Sequence, residues 1–255
     1  MVYHIPYTKT EATRLHFQGQ EIKDMSKMMF TLETRDGESA FELNYERVFA
    51  IGYAGRDMAK TMEHIKELER DLGVPAPKKI PTIFQCGNYV LTQEKDLVFV
   101  GERTCGEVEY VIIVKEGQIY IGLGSDHTDR ELEADNVPKA KQVCAKPICS
   151  KIWDYEEMKD HWDSIKLRSW QTVDGKEIVY QSGSLADILP VEKILDELTC
   201  RVGGIDNCVI YSGTVPVSDG FHYGTNFRYE MDDETLGRKL TSDYNVIAIS
   251  DKEER

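Results

Sequence analysis

The stretch Gly106–Arg130, GEVEYVIIVKEGQIYIGLGSDHTDR, constrains this chain more than any other. Two runs rich in Val, Ile and Tyr flank Glu116-Gly117, the pattern of two strands joined by a short turn. Yet the stretch carries Glu107 and Glu109 at one end and Asp126 at the other. Carboxylates are poor strand residues, and like charges facing one another in a sheet are destabilising. If Glu116-Gly117 is the hairpin loop, Lys115 pairs with Gln118, and counting back sets Glu107 opposite Asp126. Side chains alternate along a strand, so Glu109 projects from the same face as Glu107. A bulge or a longer loop would move this register by one position, and Glu-Gly is a weaker turn signal than Asn-Gly.

Three carboxylates placed in this way need compensation. They take up a proton, pair with Arg or Lys, or bind a cation. An all-oxygen donor set suits Mg²⁺, Mn²⁺ or Ca²⁺ better than zinc or copper, and Mg²⁺ keeps coordination positions open for a substrate. Spacing alone leaves a second reading open, in which Glu107 sits at a strand end in solvent and Asp126 caps the following turn.

The bulk properties narrow the partners. With 255 residues and a net charge of −14, the acidic surface repels phosphate backbones and anionic lipid, so neither nucleic acid nor a membrane is expected as a partner. No stretch approaches the roughly 18 uninterrupted apolar residues of a membrane helix. The start, MVYHIPYTKTEATRLHF, lacks the apolar core of a secretory signal. A cytoplasmic protein is the expectation. An acidic protein that takes an anionic substrate needs a cation in its pocket, and a bound metal would supply one. The six cysteines contain no CxxC pair, so they are expected to be free and reduced, with no zinc spacing.

Residues 28–52 read as short strands around an Asp36-Gly37 turn, ending in Val48-Phe49-Ala50-Ile51. Met58, Met62, Ile65, Leu68 and Leu72 then recur at helical spacing, with Asp57 to cap the start and Gly73, Pro75 and Pro77 to stop it. After the extended segment 75–81 the pattern turns strand-rich, with strands expected at 88–91, 97–100, 107–115, 118–123, 165–170, 177–180, 208–212, 225–230 and 244–249. Helical patterns fit 154–162 and 190–202. The fold class is α+β, dominated by antiparallel or mixed sheet, with a small N-terminal α+β portion over 1–80 and a β-rich core over 81–255.

Glu107-Val108-Glu109, followed by Ser125-Asp126-His127-Thr128-Asp129-Arg130-Glu131-Leu132, resembles the fumarylacetoacetate hydrolase superfamily. That family carries Glu-x-Glu on one strand and then Asn-Asp-Val-Ser-x-Arg-Asp-Leu. Its metal triad would fall on Glu107, Glu109 and Asp126, the residues that the hairpin register also selects. The likeness extends over about residues 48–250. Ile51-Gly52-Tyr53 is similar to an entry segment, Pro81-Thr82-Ile83-Phe84 to a Pro-x-Ile-Phe strand, and Ile210-Tyr211-Ser212-Gly213-Thr214 to a Gly-Thr-Pro loop, with Val215 before Pro216 here. Lys141 lies near the position of a family lysine ahead of a Cys-Pro element. GSDHTDRELEA, KQVCAKP, DHWD, LRSW and YQSG resemble a branch known mainly as a domain of unknown function.

The resemblance implies a β-rich core of the fumarylacetoacetate hydrolase C-terminal type, a homodimer, and a Mg²⁺- or Mn²⁺-dependent hydrolase or lyase. Such an enzyme breaks a C–C bond of a small 2-oxo or β-diketo acid through a metal-stabilised enolate. Enol-keto isomerase, hydratase and decarboxylase are alternatives, as is a non-catalytic metal-dependent binding protein on the same scaffold. In this reading Lys141 neutralises developing charge, with Lys139 and Lys146 as competitors. Arg56 or Arg130 pairs with a distal carboxylate, and Gly213 and Thr214 contact a substrate carboxylate. His127, which replaces the family's Val, is a general base or orients a water. Each role has a plainer counterpart. Arg56 sits in a charged first helical turn, Arg130 pairs with Asp129 or Glu131, Gly213-Thr214 is a tight turn, and alternation turns His127 to the opposite face from Asp126. The histidine-glutamate pair that some members carry on a lid has no clear counterpart.

Overall fold

A computed structural model describes residues 25–72 and 76–250. The expected stop signals Gly73 and Pro75, and the amino-terminal stretch read for a signal sequence, lie outside the described residues. The longer strands are β1 (Ser26–Thr34), β2 (Gly37–Tyr45), β3 (Arg47–Gly52), β4 (Thr82–Cys86), β5 (Asp96–Val100), β6 (Val108–Lys115), β7 (Gln118–Ser125), β8 (Lys151–Asp154), β9 (Lys166–Val173), β10 (Lys176–Ser184), β11 (Cys208–Tyr211), β12 (Asn226–Asp233) and β13 (Arg238–Ile249). The helices are α1 (Met58–Leu72), α2 (Arg130–Asp135), α3 (Val137–Val143) and α4 (Val191–Val202). One mixed sheet runs β2-β1-β8-β7-β6-β11-β3-β4 and a second runs β10-β9-β12-β13-β5. The α+β, mixed-sheet expectation holds.

The β6–β7 hairpin forms in the counted register. Glu116 and Gly117 both take left-handed backbone angles (φ 53° and 75°), as a two-residue primed turn requires. Lys115 pairs with Gln118 and Glu109 with Gly124, and the Asp126 N–H donates to the Glu107 carbonyl at 2.9 Å. Both faces of this sheet are covered, which explains the nearly continuous apolar run. Tyr110, Ile112 and Leu123 face a core shared with the second sheet (Leu167, Tyr229, Tyr244) and with α4. Val111 and Ile113 face a separate core with Phe41, Leu43, Val209 and Tyr211.

Several expectations are corrected. The division at residue 80 does not coincide with a break in the sheets, because β3 is hydrogen-bonded between β11 and β4. Residues 88–90 form a 3₁₀ turn, leaving only Leu91–Thr92 as strand. The 154–162 helix is two 3₁₀ turns, Tyr155–Glu157 and Lys159–Ser164, interrupted at His161 by a non-helical φ of −125°. Two helices went unread. The Asp129 side chain caps α2 and the Asn136 side chain caps α3. Asp57 caps α1 as expected, accepting from the Ala59 and Lys60 amides. All six cysteines are free, and burial pushes the Cys86, Cys144 and Cys208 thiols up to about 11. Among the described residues no helix is long and apolar enough to cross a membrane.

His127 belongs to the core. Alternation carries it to the face opposite Asp126, where its ring stacks on Phe99 (centroids 4.1 Å apart) and Nδ1 lies 2.8 Å from the Tyr244 hydroxyl. The general-base reading of this residue gives way to the plainer one. Burial, reinforced by Lys146 and Arg130, holds its pKa well below the ordinary 6.5.

Two predictions follow from this packing. The unfolded chain protonates His127 near 6.5 and the folded chain does not, so acid favours unfolding. Stability should fall as pH drops below about 6.5, by up to about 1.4 kcal/mol per pH unit from this group. Denaturant titrations at pH 7.5 and 5.5 should show a smaller acid loss in His127→Gln than in the parent. At Gly124 an added Cβ would lie 2.7 Å from the Tyr211 ring, 2.8 Å from Val111 and 2.9 Å from the Pro147 carbonyl. Gly124→Ala should therefore cost about 1–3 kcal/mol in the same assay.

Candidate metal centre

Glu107 and Glu109 stand at the start of β6, and Asp126 lies just past the end of β7. The hairpin register brings one oxygen of each within 4.8 Å of the others. They share the face of Val111 and Ile113, and Glu109 and Asp126 are buried. The third strand of the site contributes backbone. The Gly213 N–H, just after β11, donates to Glu109 Oε2 at 3.0 Å. Gly213 adopts φ 90°, and a Cβ there would lie 2.7 Å from Ala54 and 2.9 Å from the Ile51 carbonyl, so the position requires glycine.

Three cations surround the carboxylates. Lys141, from α3, places Nζ 2.8 Å from Glu107 Oε2, 2.9 Å from Asp126 Oδ2 and 3.0 Å from the Thr128 hydroxyl. Lys146 donates to the His127 and Cys144 carbonyls (2.7 and 3.2 Å) and lies 3.0 Å from Asp126 Oδ1. Arg130 lies 3.0 Å from Glu107 and 2.7 Å from Glu133, and its Nε donates to Cys105 Sγ. Of the competing lysines, Lys139 is exposed and away from these partners, whereas Lys146 joins the site beside Lys141.

The charges are unevenly shared. Burial raises every carboxyl pKa here, but Arg130 and Lys141 outweigh it at Glu107, and Lys141 and Lys146 outweigh it at Asp126, so both are held below the usual range. At Glu109 the more distant Lys141 and the Gly213 N–H do not offset burial and the neighbouring carboxylates. Burial, then Asp126 and Glu107, push it well above the ordinary carboxylate value. For Glu109 a proton and a cation are alternatives. Asp126 Oδ1 accepts no hydrogen bond of good geometry despite its nearness to Lys146. Three oxygen donors, one of them open and one at a carboxyl that a cation would ionise, fit a hard divalent ion.

The remaining expected residues are placed differently. Arg56 grips the Ile188 and Leu185 carbonyls and both oxygens of Asp163, and none of these belongs to the carboxylate cluster. Arg130 binds Glu107 and Glu133, not Asp129 or Glu131. The Gly213 N–H is occupied by Glu109, and the Thr214 hydroxyl donates to the Val108 carbonyl at 2.6 Å while accepting from Gln181. Both residues therefore hold the ligand strand. Gln181 was missed. Its Oε1 accepts from the Val108 N–H and from Ser169, and its Nε2 donates to Thr214 and to the Val215 carbonyl, so it ties β6, β9 and the 212–215 loop together. Only its place in the YQSG segment signalled it. Tyr53, half-buried in a left-handed conformation (φ 54°), feels Glu133 and Lys141 and stands at the edge of the site.

Residues 51–244 match the family model described as a protein of unknown function, DUF2848. A comparison with curated proteins finds no match. Among solved structures, Cg1458 superposes with a TM-score of 0.59 at 15% identity, covering 88% of this chain and 100% of that one. A 2-keto-3-deoxy-D-arabinonate dehydratase complexed with magnesium and 2,5-dioxopentanoate gives 0.56 at 17% identity, covering 83% and 77%. The fumarylacetoacetate hydrolase of psychrophilic Exiguobacterium antarcticum gives 0.54 at 19% identity, covering 85% and 83%. At these identities the likeness is one of fold. The chain belongs to the DUF2848 family, and it shares its fold with these solved structures.

Proposed function

We propose that the chain is a divalent-metal-dependent hydrolase or lyase acting on a C–C bond of a small 2-oxo or β-diketo acid. One observation carries this reading: three carboxylate oxygens from Glu107, Glu109 and Asp126 within 4.8 Å of one another, at the centre of a ring of buried cations. The same fold in the dehydratase complexed with magnesium and an oxo acid supports it. Glu107, Glu109 and Asp126 would hold Mg²⁺ or Mn²⁺ there, and the bound ion would supply Lewis-acid polarisation of a substrate oxo group.

The chain's own residues prepare for this. Glu107, Glu109 and Asp126 supply the ligand oxygens. The Gly213 N–H orients Glu109, and Lys146, fixed by two backbone carbonyls, orients Asp126. Lys141, on both Glu107 and Asp126, adds a positive charge beside the site where negative charge develops. Tolerance of an anion at the cluster would come from these groups and not from the acidic surface.

One observation favours a second reading. His127 faces away, and among the described residues the cluster's side-chain contacts are carboxylates, cations and the Thr128 hydroxyl, with no neutral base. A cleavage that needs only an electron sink, such as loss of carbon dioxide from a β-oxo acid, suits such a site. Hydrolysis requires a base to activate water. A metal-dependent binding protein needs neither.

Calorimetry should show Mn²⁺ binding to the wild-type protein and at least about tenfold weaker binding to Glu109→Gln. Unchanged affinity in that variant would remove the metal reading. With Mn²⁺ and acetylpyruvate, Lys141→Met should retain metal while losing about a hundredfold in kcat. Wild-type protein that binds Mn²⁺ and oxo acid without turnover of acetylpyruvate or a β-oxo acid would select the binding protein.

A further inference from the structure

The cations around the carboxylate cluster are each paired with one of its carboxylates. The Arg130 guanidinium donates to Glu133 through Nη1 and to Cys105 through Nε, its buried Nη2 lies 3.0 Å from Glu107 without making a hydrogen bond, and the Phe221 ring covers it at 4.4 Å. Lys146 is held by two carbonyls and Asp126, and Lys141 by Glu107, Asp126 and Thr128. Arg56 is locked to Asp163 and two carbonyls, and Arg103 packs over the Tyr223 ring. Among the described residues, each cation that touches the cluster is already paired with one of its carboxylates, and the one donor left over, Arg130 Nη2, is buried beside Glu107.

The charge balance agrees. Glu107, Glu109, Asp126 and Glu133 face Lys141, Lys146 and Arg130, leaving one net negative charge. A divalent ion turns that into one positive charge, which a single substrate carboxylate neutralises. A second carboxylate would be desolvated without a partner, which is strongly unfavourable. The flanking groups are aromatic: Phe221, exposed, over Arg130, and Tyr53 beside Glu133 and Lys141.

We propose that the oxo acid this site takes carries one carboxylate and has an uncharged far end, alkyl, aryl or hydroxylated. This rests on the metal-dependent oxo-acid reading above. 2-Oxopentanoate and 2-oxoglutarate have the same chain length and differ in a terminal methyl against a terminal carboxylate. Titrated calorimetrically into Mn²⁺-loaded protein, 2-oxopentanoate should bind at least about tenfold more tightly. Glu133→Gln removes one negative charge and frees Arg130 Nη1, so the ratio should narrow in that variant. Equal or tighter binding of 2-oxoglutarate to the wild type overturns the inference and leaves the oxo-acid reading intact. Mn²⁺ binding with neither compound bound overturns that reading, and the inference with it. Should Glu133→Gln fail to fold, the wild-type comparison decides alone.

Discussion

The mutual repulsion of three carboxylates governs this structure. Glu107, Glu109 and Asp126 are drawn together by strand pairing, and such a group is stable only beside comparable positive charge. Arg130, Lys141 and Lys146 provide part of it, all within two helices and a loop that follow β7 directly. Because Lys141 and Lys146 both reach Asp126 while none of the three touches Glu109 closely, the imbalance concentrates at Glu109. That asymmetry distinguishes the cluster from a fully paired buried salt-bridge network, since two carboxyls meet cations of the protein and Glu109 meets only the Gly213 amide.

Geometry is held by groups that never face the cluster's centre. Gln181, Thr214 and Ser169 form a closed set of hydrogen bonds that fixes the backbone of Val108, between the two glutamates. Gly213 allows its loop to approach Ala54 while its amide reaches Glu109. The short segments singled out in the sequence acquire physical meaning here. KQVCAKP supplies both lysines, DHWD supplies the Asp163 that binds Arg56 and the His161 that meets Asp233, LRSW supplies Ser169, and YQSG supplies Gln181.

Much of the central sheet could be read in advance. The hairpin count depends only on a two-residue turn and strict alternation, and both hold over eight paired positions, so the three carboxylates could be selected without any tertiary knowledge. The same alternation assigned His127 to the opposite face. The caps of α2 and α3 were visible as Asp129 and Asn136, yet helices of six and seven residues are too short to show periodicity. The pairing of β3 across residue 80 could not be read because strand order is non-local. Nothing within residues 47–52 indicates that their neighbour will be residues 208–211.

The sequence by itself determined the acidic cluster, its register and its hard-donor chemistry, because these follow from covalent spacing and the two-residue period of one hairpin. Only the tertiary structure decided which cations meet those oxygens and which side chains are already occupied. Lys141 and Lys146 differ from Lys139 by where a short helix and the segment after it fold back, and Arg56, Gly213 and Thr214 are engaged by partners more than a hundred residues away in the chain. Ion pairing in a buried site depends on distances of a few ångströms between distant segments, and no local pattern encodes them.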